Sequence, residues 1–164
     1  MNKRMLVALV ALAGVFVALY LTLYKLGYIG TLACAVGSCE TVQTSKWATL
    51  LGFPVGAWGV AYYLAVLALS LLGLTARYAD SRRLSDILLA ITAFGLLFSI
   101  WLTYLELFVI HAICMWCVIS AIIVTIIFVV SVLDLRDYAK EGAVLADDSP
   151  SSSPGDARGQ ITRA

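Results

Sequence analysis

Four cysteines stand in two pairs, Cys34-Ala-Val-Gly-Ser-Cys39 and Cys114-Met-Trp-Cys117. In the second pair, residues three apart at a helix start share a face, and a relaxed first turn lets their sulfurs bond. A helix N-terminus carries partial positive charge, which favours thiolate and lowers a cysteine pKa. Thiolate is the species that attacks disulfides. That pair is suited to cycling more than to stapling. The spacer of the first pair contains Gly37 and Ser38, so its loop can bend and release. Closing so small a loop stabilises little, which suits a movable shuttle. The alternative is a loop clip, or a permanent bridge from this loop to the Cys-x-x-Cys segment. His111, the only histidine, lies three residues before Cys114. As imidazolium it could stabilise a thiolate or relay protons; the plainer reading is an interfacial residue facing headgroups.

The elements that must position these residues are membrane helices. Of 164 residues, 62% are hydrophobic and 13% charged. A soluble domain so apolar would aggregate. A spanning helix needs about 20 mostly apolar residues, and four runs qualify: 5–24, 53–75, 84–110 and 112–133. The first is too long for a signal-peptide core and no small-x-small cleavage site follows it, so it reads as a retained helix. The net charge of +1 gives no sign of nucleic-acid binding. Its distribution is more informative. Lys3, Arg4, Arg77, Arg82, Arg83, Arg136 and Lys140 fall on one side, Lys25 and Lys46 on the other. The positive-inside rule puts both termini in the cytoplasm. All four cysteines then lie on the extracytoplasmic, oxidising side, where disulfides persist.

The first outside loop is expected to be irregular over "YIGTLACAVGSC". A short interfacial helix should follow, from Glu40 or Thr41 to Leu51, with Gly52 ending it and Pro54 in the first turn of helix two. Val42, Trp47, Leu50 and Leu51 would share one face. Trp47 is also a plausible headgroup-level anchor. Residues 1–138 form one membrane domain. Residues 139–164, rich in Ser, Pro, Gly and Asp, read as a disordered cytoplasmic tail. Glu106, near the outer end of helix three, is a functional suspect as an ionisable group in a span. Phe53, Trp58, Trp101 and Trp116 are candidate pocket aromatics, with anchoring or packing as the alternative. Gly56 and Gly59 would permit close helix packing. A zinc site of four thiolates suits this location poorly, and no metal is expected.

Two cysteine pairs at one face suggest an electron relay by thiol–disulfide exchange. The natural acceptor beside the bilayer is a quinone, and the natural donor a secreted dithiol protein. The sequence resembles the vitamin K epoxide reductase family in its bacterial form. The likeness rests on the loop pair, on "CETVQTSKW" with Ser45 and Trp47 six and eight residues past Cys39, on "GFPVGAWG", and on "YLELFVIHAICMWC". It covers roughly residues 5–135. Loop pair first and Cys-x-x-Cys at helix four is the order of that family. The other quinone-linked disulfide generator of bacterial membranes has it reversed.

The resemblance implies an all-α integral membrane fold, a four-transmembrane-helix bundle. It implies that Cys34 and Cys39 exchange with a thioredoxin-fold partner, and that Cys39 attacks Cys114. Cys117 would face the quinone, menaquinone or ubiquinone, and transiently bond or donate to it. Ser45 would sit near the quinone head, with Trp47, Phe53, His111 and Glu106 as further cofactor-binding candidates. Many bacterial relatives carry a fused thioredoxin-like domain; here the partner is expected in trans, outside the plasma membrane. Vertebrate enzymes use an Asn in helix two and a Tyr four residues past the second Cys of Cys-x-x-Cys. Here helix two opens with apolar residues and Ala121 takes the second position, so plain quinone reduction is expected. The alternatives are vitamin K epoxide reduction and a non-enzymatic membrane protein with structural disulfides.

Overall fold

Long apolar runs without interior proline build the helices. The structure, a computed structural model, describes residues 3–75 and 82–147. Among the described residues, four helices are long and apolar enough to cross a membrane. They are α1 (Lys3–Lys25), α3 (Val55–Leu72), α4 (Arg82–Leu105) and α5 (Met115–Asp147), and a short α2 (Cys39–Thr44) lies between the first two. This is the expected all-α four-helix membrane bundle. α1 packs against α3 and α5, and α4 packs against α5.

Lipid tails are as apolar as leucine, so helices in a bilayer associate through close packing of small side chains. The buried seam of α1 shows this, with Val7, Ala11, Gly14, Ala18 and Leu21 at helical spacing. The Tyr63 ring fills the place a side chain at Gly14 would take, and Gly56 and Gly59 face Thr22 and Ala18. The core continues through Val66, Leu88, Val124 and Ile127.

One end of the bundle is closed by charge. Arg4 is buried and donates to the Gly73 carbonyl at 2.8 Å and the Ser85 hydroxyl at 2.9 Å. It pairs with Asp134 at 3.3 Å. Lys3 pairs with Asp137. These contacts tie α1 to α4, to α5 and to the chain leaving α3.

The other end is irregular, and differs from the expected single short helix. α2 stops at Thr44, a 3₁₀ turn covers Lys46–Ala48, and Thr49–Leu50 pairs antiparallel with Phe53–Pro54. The reason lies in Thr44 and Ser45. Their hydroxyls donate to the Glu40 and Val42 carbonyls at 2.8 and 2.7 Å. These bonds occupy helix-ending acceptors while Ser45 turns extended. Leu51 and Gly52, both with positive φ (54° and 84°), make the two-residue hairpin turn. Gly52 therefore closes a hairpin and not a helix, and Pro54 caps α3 from outside. Val42 is buried, whereas Leu51 is exposed.

α4 ends in one π-helical turn, Glu106–Ile110, followed by His111 in the left-handed region. α5 begins at Met115, three residues later than the expected 112, because residues 111–114 form the link. It then runs helical through Asp147, so the expected disorder from 139 is not seen over 139–147. "AKEGAVLAD" is rich in helix formers. The remainder of the expected tail, 148–164, and most of the charged loop, 76–81, lie outside the described residues.

Candidate active site

All four cysteines gather at the irregular end. Cys34 and Cys39 are joined by a disulfide, and Cys114 and Cys117 are free thiols. The loop holding the disulfide is clamped on both flanks. On one flank Ala33 donates its N–H to Tyr20 Oη at 3.0 Å, and its carbonyl accepts from Trp116 Nε1 at 2.8 Å. The Tyr20 and Trp116 rings pack with centroids 4.9 Å apart. On the other flank Gly37 bridges to Cys114, and Ser38 donates to the Ile113 carbonyl at 2.8 Å. Gly37 has φ of 90°, and the Ile113 carbonyl sits where its Cβ would be. Only glycine permits that approach. The clamps set Cys39, Val42 and Cys114 in one buried cluster. Within the disulfide, Cys34 is half-buried and Cys39 is fully buried.

Cys114 stands directly before α5, and its carbonyl accepts from Val118 N–H at 3.0 Å as a helix-capping residue does. The Cys117 thiol hydrogen-bonds to the Cys114 sulfur and holds its pKa below the ordinary thiol range. Burial opposes this, the N–H groups of Cys117 and Trp116 add to it, and the nearby Glu106 carboxyl works against it. The helix start thus acts on Cys114 in the direction its position implies.

Glu106 is buried on the π-turn. Its carboxylate accepts the Cys114 backbone N–H at 3.2 Å and hydrogen-bonds the Cys117 thiol. Its backbone carbonyl accepts from His111 and Ala112 N–H, which closes the turn into the cysteine segment. No ion pair reaches it among the described residues. Gln43, on α2, is also buried and points its amide toward Cys117 Sγ at 4.0 Å. Lys25 holds its carbonyl at 2.6 Å.

Beside Cys117 lies a mostly apolar cavity of about 460 Å³. It is walled by α3 and α4, with α2, the hairpin and α5 at one end. Ser45, Trp47, Glu106 and Cys117 line it, as do Trp58 and Tyr62. Leu51, Trp58 and Phe94 are both lining and exposed, so it opens to the outer surface of the bundle. Phe53 and His111 are not among the lining residues; Phe53 sits exposed on the hairpin, and His111 is exposed at the end of the π-turn. Trp101 packs edge-on against Trp47, and Trp116 serves the loop clamp, not the cavity.

A model of the Vitamin K epoxide reductase family matches residues 5–132. The chain belongs to that family. Its members are oxidoreductases, and a multi-pass membrane enzyme with a disulfide-forming cysteine pair is what the bundle presents.

Three side chains at the site carry no signal in the sequence: Gln43, Tyr20 and Tyr62. Only the tertiary arrangement brings them to the cysteines and the cavity. The one advance signal was Glu106, an ionisable group near the outer end of helix three, at the same end as the cysteines.

Proposed function

We propose that this protein oxidises a thioredoxin-fold dithiol partner outside the plasma membrane, and passes its electrons through both cysteine pairs to a membrane quinone. The observation carrying this is the adjacency of three things: an accessible disulfide, a buried dithiol, and an apolar cavity open to lipid with Cys117 in its wall. Lys3, Arg4, Arg82 and Arg83 at the opposite end support cytoplasmic termini and extracytoplasmic cysteines.

Access decides the first step. A partner thiolate attacks Cys34, the more exposed sulfur, and Cys39 leaves as thiolate. The partner's second thiol then displaces Cys34, releasing an oxidised partner and a Cys34/Cys39 dithiol. Cys39 next attacks Cys114 of an inner disulfide, and Cys117 leaves. Cys34 attacks the Cys39–Cys114 bond, with Cys114 as leaving group. A leaving thiol of low pKa departs faster, so the capped, hydrogen-bonded Cys114 favours electron flow inward. The product is the state described above: Cys34–Cys39 closed, Cys114 and Cys117 reduced.

A quinone suits the cavity on two grounds: apolar walls for a ring and tail, and a buried hydroxyl, on Tyr62, that has no partner among the described residues. Bound there, it supplies a two-electron, two-proton acceptor. Closing Cys114–Cys117 releases two electrons and two protons, which balances reduction to quinol. Glu106, hydrogen-bonded to the Cys117 thiol, accepts that thiol's proton. Trp47 borders the ring space. Ser45 spends its hydroxyl proton on Val42, which leaves it an acceptor toward the cavity.

The test is quinone reduction by the purified protein in detergent, with a reduced thioredoxin-fold donor. Wild type should turn over, while Cys117→Ala and Cys34→Ala should fall to background. An inert wild type with both disulfides permanently closed would favour structural bridges instead.

A further inference from the structure

Tyr62 lies on α3 one residue before Tyr63, and the two hydroxyls have different fates. Tyr63 Oη bonds to Ser120, at 2.7 Å to the hydroxyl and 3.1 Å to the carbonyl. Tyr62 Oη is fully buried and has no partner among the described residues. The end of its ring fills the space over Gly95 of α4 that any side chain there would claim. A residue without Cβ thus makes room for a phenol whose polar atom is left unsatisfied. Phenylalanine would fill the same volume without leaving a buried hydroxyl dry.

Three other cavity hydroxyls are already committed. Ser45 donates to Val42, Thr103 to Ser99, and Ser120 shares its bond with Tyr63. The Trp58 indole donates to Leu50. Tyr62 is the buried cavity donor left unspent. Its neighbour Tyr63 reaches Ser120, about one helical turn along α5 from Cys117, which lines the same cavity.

Building on the quinone reading, we infer that Tyr62 Oη donates a hydrogen bond to a quinone carbonyl and so positions the ring against Cys117. Glu106 and Gln43 are engaged with the cysteines, which leaves the phenol to serve the ring. Ring recognition then comes from a cavity donor that the cysteine motifs do not reveal.

The experiment is equilibrium binding to detergent-solubilised protein whose four thiols are oxidised beforehand, so that no turnover occurs. The probes are 2-methyl-1,4-naphthoquinone and its carbonyl-free counterpart 2-methylnaphthalene, read by quenching of Trp47 and Trp58 fluorescence. Tyr62→Phe should weaken the naphthoquinone about tenfold, the worth of one hydrogen bond, and leave the naphthalene unchanged. The ligand-free variant should melt no lower than wild type. Equal naphthoquinone affinity in both proteins overturns the inference alone, as does equal weakening of both probes. A lowered ligand-free midpoint would reveal a protein partner for Oη and overturn it too. Failure of wild type itself to bind the naphthoquinone would instead remove the quinone reading on which it rests.

Discussion

The two ends of the bundle each bury a charged side chain, and they treat it in opposite ways. Arg4 is met by a carbonyl, a hydroxyl and a carboxylate from three other parts of the chain. Glu106 meets one backbone N–H and a thiol, with no ion pair among the described residues. A buried charge with compensating partners fastens helices together. A buried carboxylate facing a thiol and a cavity has protonation as its remaining freedom. The lesson is that burial of an ionisable group in a span identifies function only when its partners leave it unneutralised.

The largest effect expected from this contrast is on stability. Arg4→Met strands Asp134, and breaking a partly buried pair in this way costs about 3–5 kcal/mol. Thermal unfolding in detergent should show a large drop, while the molecules still folded at low temperature keep their turnover. A midpoint matching wild type would mean that the clasp holds nothing. Next comes Glu106→Gln, which keeps shape and hydrogen bonding but cannot take a proton from Cys117. Turnover should fall about a hundredfold with the midpoint unchanged or raised. Equal rates at matched folding would reduce Glu106 to a turn-closing residue and erase the contrast. The smallest effect is at His111, exposed and left-handed with φ of 54°. His111→Gly should leave the rate within about twofold and stabilise slightly, since glycine adopts that conformation freely. A rate loss there beyond tenfold would restore His111 to the chemistry.

Much of this was legible in the residues. Four long apolar runs leave few alternatives in a bilayer, and placing both cysteine pairs at one end follows from their order. Two features were hidden for a local reason. Thr44 and Ser45 divert α2 through side-chain bonds to its own carbonyls, so an apolar pattern readable as helix to Leu51 becomes a 3₁₀ turn and a hairpin. At the far end, polar letters after residue 138 resemble disorder, yet the Ala, Glu, Lys and Leu among them continue α5. The site was hidden for a tertiary reason. Trp116 reads as a pocket aromatic but holds the loop of the Cys34–Cys39 disulfide, while Tyr62 lies within an apolar run and opens onto the cavity. Neither role has a signature within its own neighbourhood of sequence.

The central claim is that electrons cross from one cysteine pair to the other, and the Cys39–Cys114 bond is its obligatory intermediate. The most direct measurement is peptide mapping under non-reducing conditions of the Cys34→Ala/Cys117→Ala double variant. With both resolving thiols gone, mild oxidation should link Cys39 to Cys114 within single molecules in near-stoichiometric yield. Two free thiols, or links only between molecules, would contradict the relay.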